Sequence, residues 1–291
     1  MGDASAAASG HLPLPVSYKG AYPFRLGTTS FIYPDHYLPN VRMLGPYVDE
    51  VELLMFESRW PDSLPDGETL AALADLGAEM DLGYNIHLPA DVSLADPDPE
   101  GRQRAVSVMA QFISATAVLS PSGYALHLPF EGYAMDAGGI EQWQAAAAEG
   151  IAALLDAGAP AELLAVENLE YPFEWAAPLV EEFDLAVCMD MGHLILFGVD
   201  PAAFFRKWEP RVRLVHLHGV RSLEGLLPGD GTGQDHVGLD QMAVEYFPPV
   251  MEVLQRFRGG LSIEVFAYRH LVPSLQVLAA QWRACRKEDA T

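Results

Sequence analysis

The residues of this sequence that could do chemistry fall at the ends of short apolar runs. Tyr84-Asn85-Ile86-His87 and Ala125-Leu126-His127 close on histidine, Ala165-Val166-Glu167 on glutamate, and Cys188-Met189-Asp190 on aspartate with Gly192-His193 following. Val215-His216-Leu217-His218 carries two histidines, and Ile263-Glu264 ends in a carboxylate. A single histidine or glutamate at a strand end is ordinarily a hydrogen-bonded or solvated group. Six successive runs ending in metal-competent side chains point instead to a metal site. Imidazole mixed with carboxylate suits Zn²⁺, Mn²⁺ or Fe²⁺, whereas an all-oxygen set would favour Mg²⁺ or Ca²⁺. One tetrahedral ion cannot use His87, His127, Glu167, Asp190, His216 and Glu264 together. Two ions, Zn²⁺ or Mn²⁺, are therefore expected, bridged by a carboxylate, and His193 with His236 could hold a third.

These side chains need a scaffold that brings successive strand ends to one place. Strand-like runs lie at 24–29, 50–56, 82–87, 124–128, 163–167, 185–190, 212–218 and 260–266. Stretches with apolar residues at helical spacing separate them: Thr69–Met80, Glu100–Leu119, Ile140–Ala157, Pro201–Trp208, Leu239–Phe257 and Leu271–Arg286. Eight such units predict an α/β fold, a single (β/α)₈ barrel, whose strand ends converge on the face where active sites are built. A doubly wound sheet fits less well, because no run opens into a glycine-rich dinucleotide turn; Gly27 is followed by Thr28, Thr29 and Ser30. Strand alternation also turns Asn85, Ala125, Ala165, Cys188, Leu214 and Ser262 inward, two residues before each ligand. All but Leu214 are small or polar, which leaves room under the ligands. Residues 1–21, small and interrupted by proline, are expected to form a loose tail, and 22–291 one barrel domain.

Composition excludes several classes of partner. The 291 residues carry 17 Lys+Arg against 40 Asp+Glu, a formal charge of −23. The lysines are Lys19, Lys207 and Lys287, too few to neutralise a run of phosphates, so nucleic acid is not expected as a partner. Cys188 and Cys285 cannot build a disulfide framework or a four-thiolate zinc site. The stretch Met1 to Lys19 has no basic segment followed by a continuous apolar one, and no run reaches about 18 apolar residues. A cytoplasmic location without membrane contact is expected.

The strand-end pattern resembles the xylose-isomerase-like barrel superfamily and, within it, the endonuclease IV (AP endonuclease 2) branch, over about Phe24 to Arg286. The resemblance implies a first ion held by His87, His127 and Glu167, a second by Glu167, Asp190, His216 and Glu264, and a third by His193 and His236. The third position departs from the pattern. Gln234 stands where the aspartate of an Asp-x-His pair belongs, so a third ion requires Asp235 to replace it. Sugar isomerases and epimerases of the superfamily use the Glu, Asp, His, Glu quartet for one ion, and the extra His87, His127 and His193 favour the phosphodiester-cleaving branch. Phe24-Arg25-Leu26-Gly27-Thr28-Thr29-Ser30-Phe31-Ile32-Tyr33-Pro34, Val166-Glu167-Asn168-Leu169-Glu170-Tyr171-Pro172-Phe173-Glu174 and Met189-Asp190-Met191-Gly192-His193 look like the bacterial cobamide-remodelling phosphodiesterases. That likeness implies hydrolysis of the corrinoid nucleotide-loop phosphodiester to cobinamide phosphate and the ribosylated lower base.

On this reading Glu167 bridges the ions, Asp190 or Glu264 orients the attacking water, and His193 or His236 stabilises the phosphoryl or leaving oxygen. His218 shares the inward face of His216 and is either a hydrogen-bond partner of a ligand or a substrate contact. Arg269 could meet a phosphate. Tyr33, Trp60 and Tyr171 belong to an aromatic rim suited to a large planar ligand with one phosphate. The alternatives are a sugar isomerase or epimerase with one ion, and a non-catalytic binding barrel stabilised by metal.

Overall fold

The computed structural model describes residues 11–222, 229 and 231–288. Eight parallel strands lie where the apolar runs predict them: β1 (Arg25–Thr29), β2 (Glu50–Leu54), β3 (Gly83–His87), β4 (Tyr124–Leu126), β5 (Leu164–Glu167), β6 (Ala186–Asp190), β7 (Val212–Leu217) and β10 (Gly260–Ile263). They close into a barrel in the order β1-β10-β7-β6-β5-β4-β3-β2. Closure leaves no barrel edge unpaired and sets the strand ends side by side. Asp190 is in register with His216, and His216 with Ser262.

The helices are α1 (Tyr37–Leu44), α2 (Gly67–Met80), α3 (Pro99–Thr116), α4 (Ala137–Asp156), α5 (Ala177–Glu182), α6 (Met191–Leu196), α7 (Pro201–Trp208), α8 (Phe247–Arg256) and α9 (Tyr268–Glu288). Part of the acidity of the chain lies at their first turns. Asp66, Asp98, Asp136 and Asp200 each accept a backbone N–H at the start of α2, α3, α4 and α7, the place where a carboxylate satisfies an otherwise unpaired donor. Helix α8 starts later than the periodicity from Leu239 suggests. Two 3₁₀ turns, Leu239–Gln241 and Val244–Tyr246, come first, and Pro248 and Pro249 then occupy the helix start, where a missing N–H costs nothing.

Two features depart from expectation. Residues 11–21, expected to be loose, lie against the barrel instead: Leu14 is 2% exposed and Tyr18 is buried. Backbone carbonyls of Leu12 and Pro13 accept the hydroxyls of Tyr33 and Tyr268, and Lys19 Nζ donates to the carbonyls of Gly45 and Val48. The tail gains order from these bonds and from burying two apolar side chains, neither of which shows as periodicity. The second feature is an antiparallel hairpin of β8 (Gly219–Arg221) and β9 (Gln234–Val237), outside the barrel sheet. No helix of the described residues is long and apolar enough to cross a membrane.

Inside the barrel, Ala125, Ala165, Ala186, Cys188 and Leu214 form a small apolar plug of their own. The remaining core lies between strands and helices. Low side-chain volume in the plug leaves the layer above it to polar groups.

Candidate metal centre

That layer is the cluster the strand ends predict. His87, Glu167, Asp190, His216 and Glu264 are buried, and His127, His193 and His236 are partly open. The Oε2 atom of Glu167 lies 3.7 Å from His87 Nε2, 3.2 Å from His127 Nε2 and 3.5 Å from His216 Nδ1. His216 Nδ1 is also 3.4 Å from Glu264 Oε2. Within the set His87, His127 and Glu167, one donor atom from each lies within 4.8 Å of the others, and the same holds for Glu167, Asp190, His216 and Glu264. Glu167 belongs to both sets.

The backbone fixes which ring nitrogen faces inward. His87 Nδ1 is 2.9 Å from the carbonyl of Leu88, so it carries the proton and leaves Nε2 toward Glu167. Asp190 ends β6 and caps α6, accepting the His193 N–H, while Asn168 clamps its backbone on both sides.

Burial and charge then set the protonation of the cluster. Burial alone would raise the Glu167 carboxyl, but the imidazoles of His216 and His127 outweigh it and hold the group well below the usual carboxylate range. Asp190 is likewise held low against its burial, chiefly by His193 and His218. Glu264 goes the other way, pushed well up by burial. Burial, reinforced by His127, drops His87 to about 4, and burial with His218 drops His236 to about 4. His193 is raised, because Asp190 and Glu167 overcome its burial.

These residues fit a divalent cation. Glu264 Oε2 and His216 Nδ1 are buried without a hydrogen-bond partner, an arrangement that is costly unless a cation or water satisfies them. The donors are imidazole and carboxylate, the mixture that Zn²⁺ or Mn²⁺ accepts.

Around the third position the structure is specific. Gln234 turns away and accepts from Arg221 Nε, while Asp235 Oδ2 comes to 4.0 Å from His193 Nε2. His236 has φ +47°. That left-handed residue interrupts strand alternation, so Asp235 and its neighbour His236 both meet site residues, His236 Nδ1 lying 3.6 Å from Glu264 Oε2. His193, His218 and His236 also bring ring nitrogens within 4.8 Å of one another.

The residues expected to contact substrate separate into two groups. Trp60 is 71% exposed and lines a cavity of about 530 Å³ with Phe31, Tyr37 and Phe56. Phe56 stands edge-on to His87, ring centroids 4.4 Å apart, so this cavity abuts the cluster. Tyr171 lines a smaller cavity, about 240 Å³, that reaches His193; its hydroxyl is taken by the carbonyl of Leu128. Tyr33 is not part of a rim: it is buried, with its hydroxyl on Leu12, because residues 11–13 cover it. Arg269 is exposed and donates to its neighbour His270 rather than facing the cluster. One residue of the site, Glu52, is not among those expected from the sequence. This β2 glutamate is fully buried, with Oε1 2.9 Å from His216 Nε2. Its signal was present, since a second glutamate inside the strand Glu50-Val51-Glu52-Leu53-Leu54 is unusual for a buried barrel strand.

A closed eight-stranded barrel with histidines and carboxylates gathered at its strand ends defines a (β/α)₈ protein with a candidate metal centre. More particularly, the chain belongs to the xylose isomerase-like TIM barrel family, whose model matches residues 42–287. No curated protein sequence matches it. Among solved structures it is similar to a D-tagatose 3-epimerase-like protein, with 16% identity, TM-score 0.72 and coverage of 91% of this chain and 99% of that one. It is also similar to endonuclease IV from Thermus thermophilus, with 22% identity, TM-score 0.65 and coverage of 89% and 99%. For an L-ribulose 3-epimerase the values are 17%, 0.68, 92% and 97%. At these identities the likeness concerns the fold.

Proposed function

We propose that the chain is a metal-dependent phosphodiesterase acting on a large planar nucleotide-like substrate, the nucleotide-loop phosphodiester of a cobamide, with release of cobinamide phosphate and the ribosylated base. The observation that carries the reading is the pair of donor sets sharing Glu167, flanked by apolar cavities on the His87 side and on the His193 side. A diester has a group on each side of its phosphorus, and a cavity on each side of the cluster suits that. A charge of −23 argues against a long polyanion as substrate.

When bound, a pair of divalent ions supplies a nucleophile at neutral pH and relieves charge on the phosphoryl group. The protein's residues do the rest. Glu167, kept ionised, joins the two sets. His87 and His127 complete one, and Asp190, His216 and Glu264 the other. His193 and His236, partly open beside the shared carboxylates, are placed to meet the leaving ribose oxygen and a phosphoryl oxygen. Phe56 and Trp60 exclude water from the planar group.

A single-ion isomerase or epimerase is the second reading, favoured by the quartet Glu167, Asp190, His216 and Glu264 and by the epimerases of like fold. Incubation of metal-replete protein with cobamide, ketohexoses and a nitrophenyl phosphodiester, followed by chromatography, separates the two. Cobinamide phosphate and free riboside are expected, abolished by chelation. His216→Ala should cost at least about a thousandfold in turnover, roughly 4 kcal/mol of transition-state stabilisation. Intact cobamide beside an interconverted ketose would leave the isomerase.

A further inference from the structure

We propose that Glu52 is a positioning residue of the metal centre, setting His216 to offer Nδ1 to the ion by holding the proton on Nε2. The inference rests on the metal reading of the cluster above.

His216 presents its two nitrogens to different surroundings. Nδ1 faces the acidic ligands, 3.5 Å from Glu167 and 3.4 Å from Glu264. Nε2 points the opposite way, into the barrel, and meets Glu52 Oε1 at 2.9 Å. A ligating imidazole needs its second nitrogen to carry the proton, and a carboxylate there fixes the ring and raises its basicity.

Glu52 has little else to do. Both of its oxygens are buried without a well-angled hydrogen bond, so the 2.9 Å contact sets a carboxylate against the Nε2 side of the ring at a bent angle. Beside it stands the Ser262 hydroxyl, whose strand is in register with His216. The neighbouring Glu50, by contrast, is fully engaged, accepting from Arg25, Asn85 and Ser122. A buried carboxylate this poorly paired costs stability, and an apolar residue of similar size would fill the space with less penalty. Its stabilisation comes from the positive charge that it helps to install, the ion beyond His216.

The two roles, packing and positioning, move different quantities. The test is titration of chelator-treated protein with Co²⁺, read by visible absorption, together with the thermal midpoint of the chelated protein. Wild type, Glu52→Gln and Glu52→Ala are compared, with His216→Ala and His87→Ala to show which binding phase belongs to which donor set. Glu52→Ala should weaken the His216-dependent phase about 10–100-fold and leave the His87-dependent phase within about twofold. Glu52→Gln, whose amide oxygen can still accept from Nε2–H, should lose less. Chelated Glu52→Gln, which keeps the volume of the side chain, should melt at or above the wild-type temperature. Wild-type Co²⁺ affinity in Glu52→Ala and Glu52→Gln, equal weakening of both phases, or weakening that tracks a falling midpoint would overturn the proposal alone. Absence of any His216-dependent phase in wild type would overturn the metal reading and this proposal together.

Discussion

His218 Nε2 lies 3.1 Å from Asp190 Oδ1, with both side chains fully buried. The backbone N–H of His236 donates to His218 Nδ1 at 3.0 Å, closer than the Gly219 carbonyl at 3.2 Å from the same nitrogen, which favours the proton of His218 on Nε2, directed at Asp190. Of the two roles the sequence left open for His218, substrate contact or ligand partner, the geometry supports the second. The ring also has a steric condition: a Cβ on Gly192 would sit 2.2 Å from His218 Cε1.

Gly192→Ala should therefore displace His218 from Asp190 while leaving the barrel folded. A loss of about 10–100-fold in metal affinity is expected, the cost typical of a lost partner to a ligand. Circular dichroism with metal titration checks it; unchanged affinity would show that Asp190 does not need His218.

His87 supplies a pH test. Its folded pKa of about 4 lies below its ordinary value of 6.5, so between those values the unfolded chain binds the proton that the folded chain refuses. Stability from this group is complete above about pH 6.5 and is lost as pH falls toward 4. In chelator, the stability difference between wild type and His87→Asn, followed by urea unfolding, should shift toward the variant over that window. A pH-independent difference would mean that His87 is solvated.

The aromatic residues should divide by location. Trp60→Ala, at the exposed cavity, should raise KM about tenfold with little change in kcat, as a contact of roughly 1.4 kcal/mol made equally in ground and transition states does. Tyr33→Ala should leave KM alone and cost about 3 kcal/mol of stability, as other large aromatic truncations do. Steady-state kinetics and denaturant unfolding separate them.

With few cations to release counterions, the chain should show no binding to intact or abasic duplex DNA at physiological salt in an anisotropy titration. Salt-dependent binding with cleavage would point instead to a nucleic acid substrate.

The strand ends were legible because period-two alternation and convergence of barrel strands are rules of backbone geometry, and His87, His127, Glu167, Asp190, His216 and Glu264 sit at the predicted places. Glu52 is not legible in this way because it lies in the middle of its strand, away from the strand ends where barrel ligands gather. The packing of Leu14 and Tyr18 and the covering of Tyr33 depend on long-range contacts that leave no local pattern. The hairpin that delivers Asp235 and His236 depends on one left-handed residue, which a histidine does not advertise. The segments 223–228 and 230, between its strands, lie outside the described residues.

The central claim is that Glu167 joins two ion positions, and elemental analysis of the purified chain tests it most directly. Two or more Zn²⁺ or Mn²⁺ per chain are expected, with both positions depleted in Glu167→Ala and one alone depleted in His87→Ala. A single ion per chain, retained when His87 and His127 are both replaced, would contradict the account.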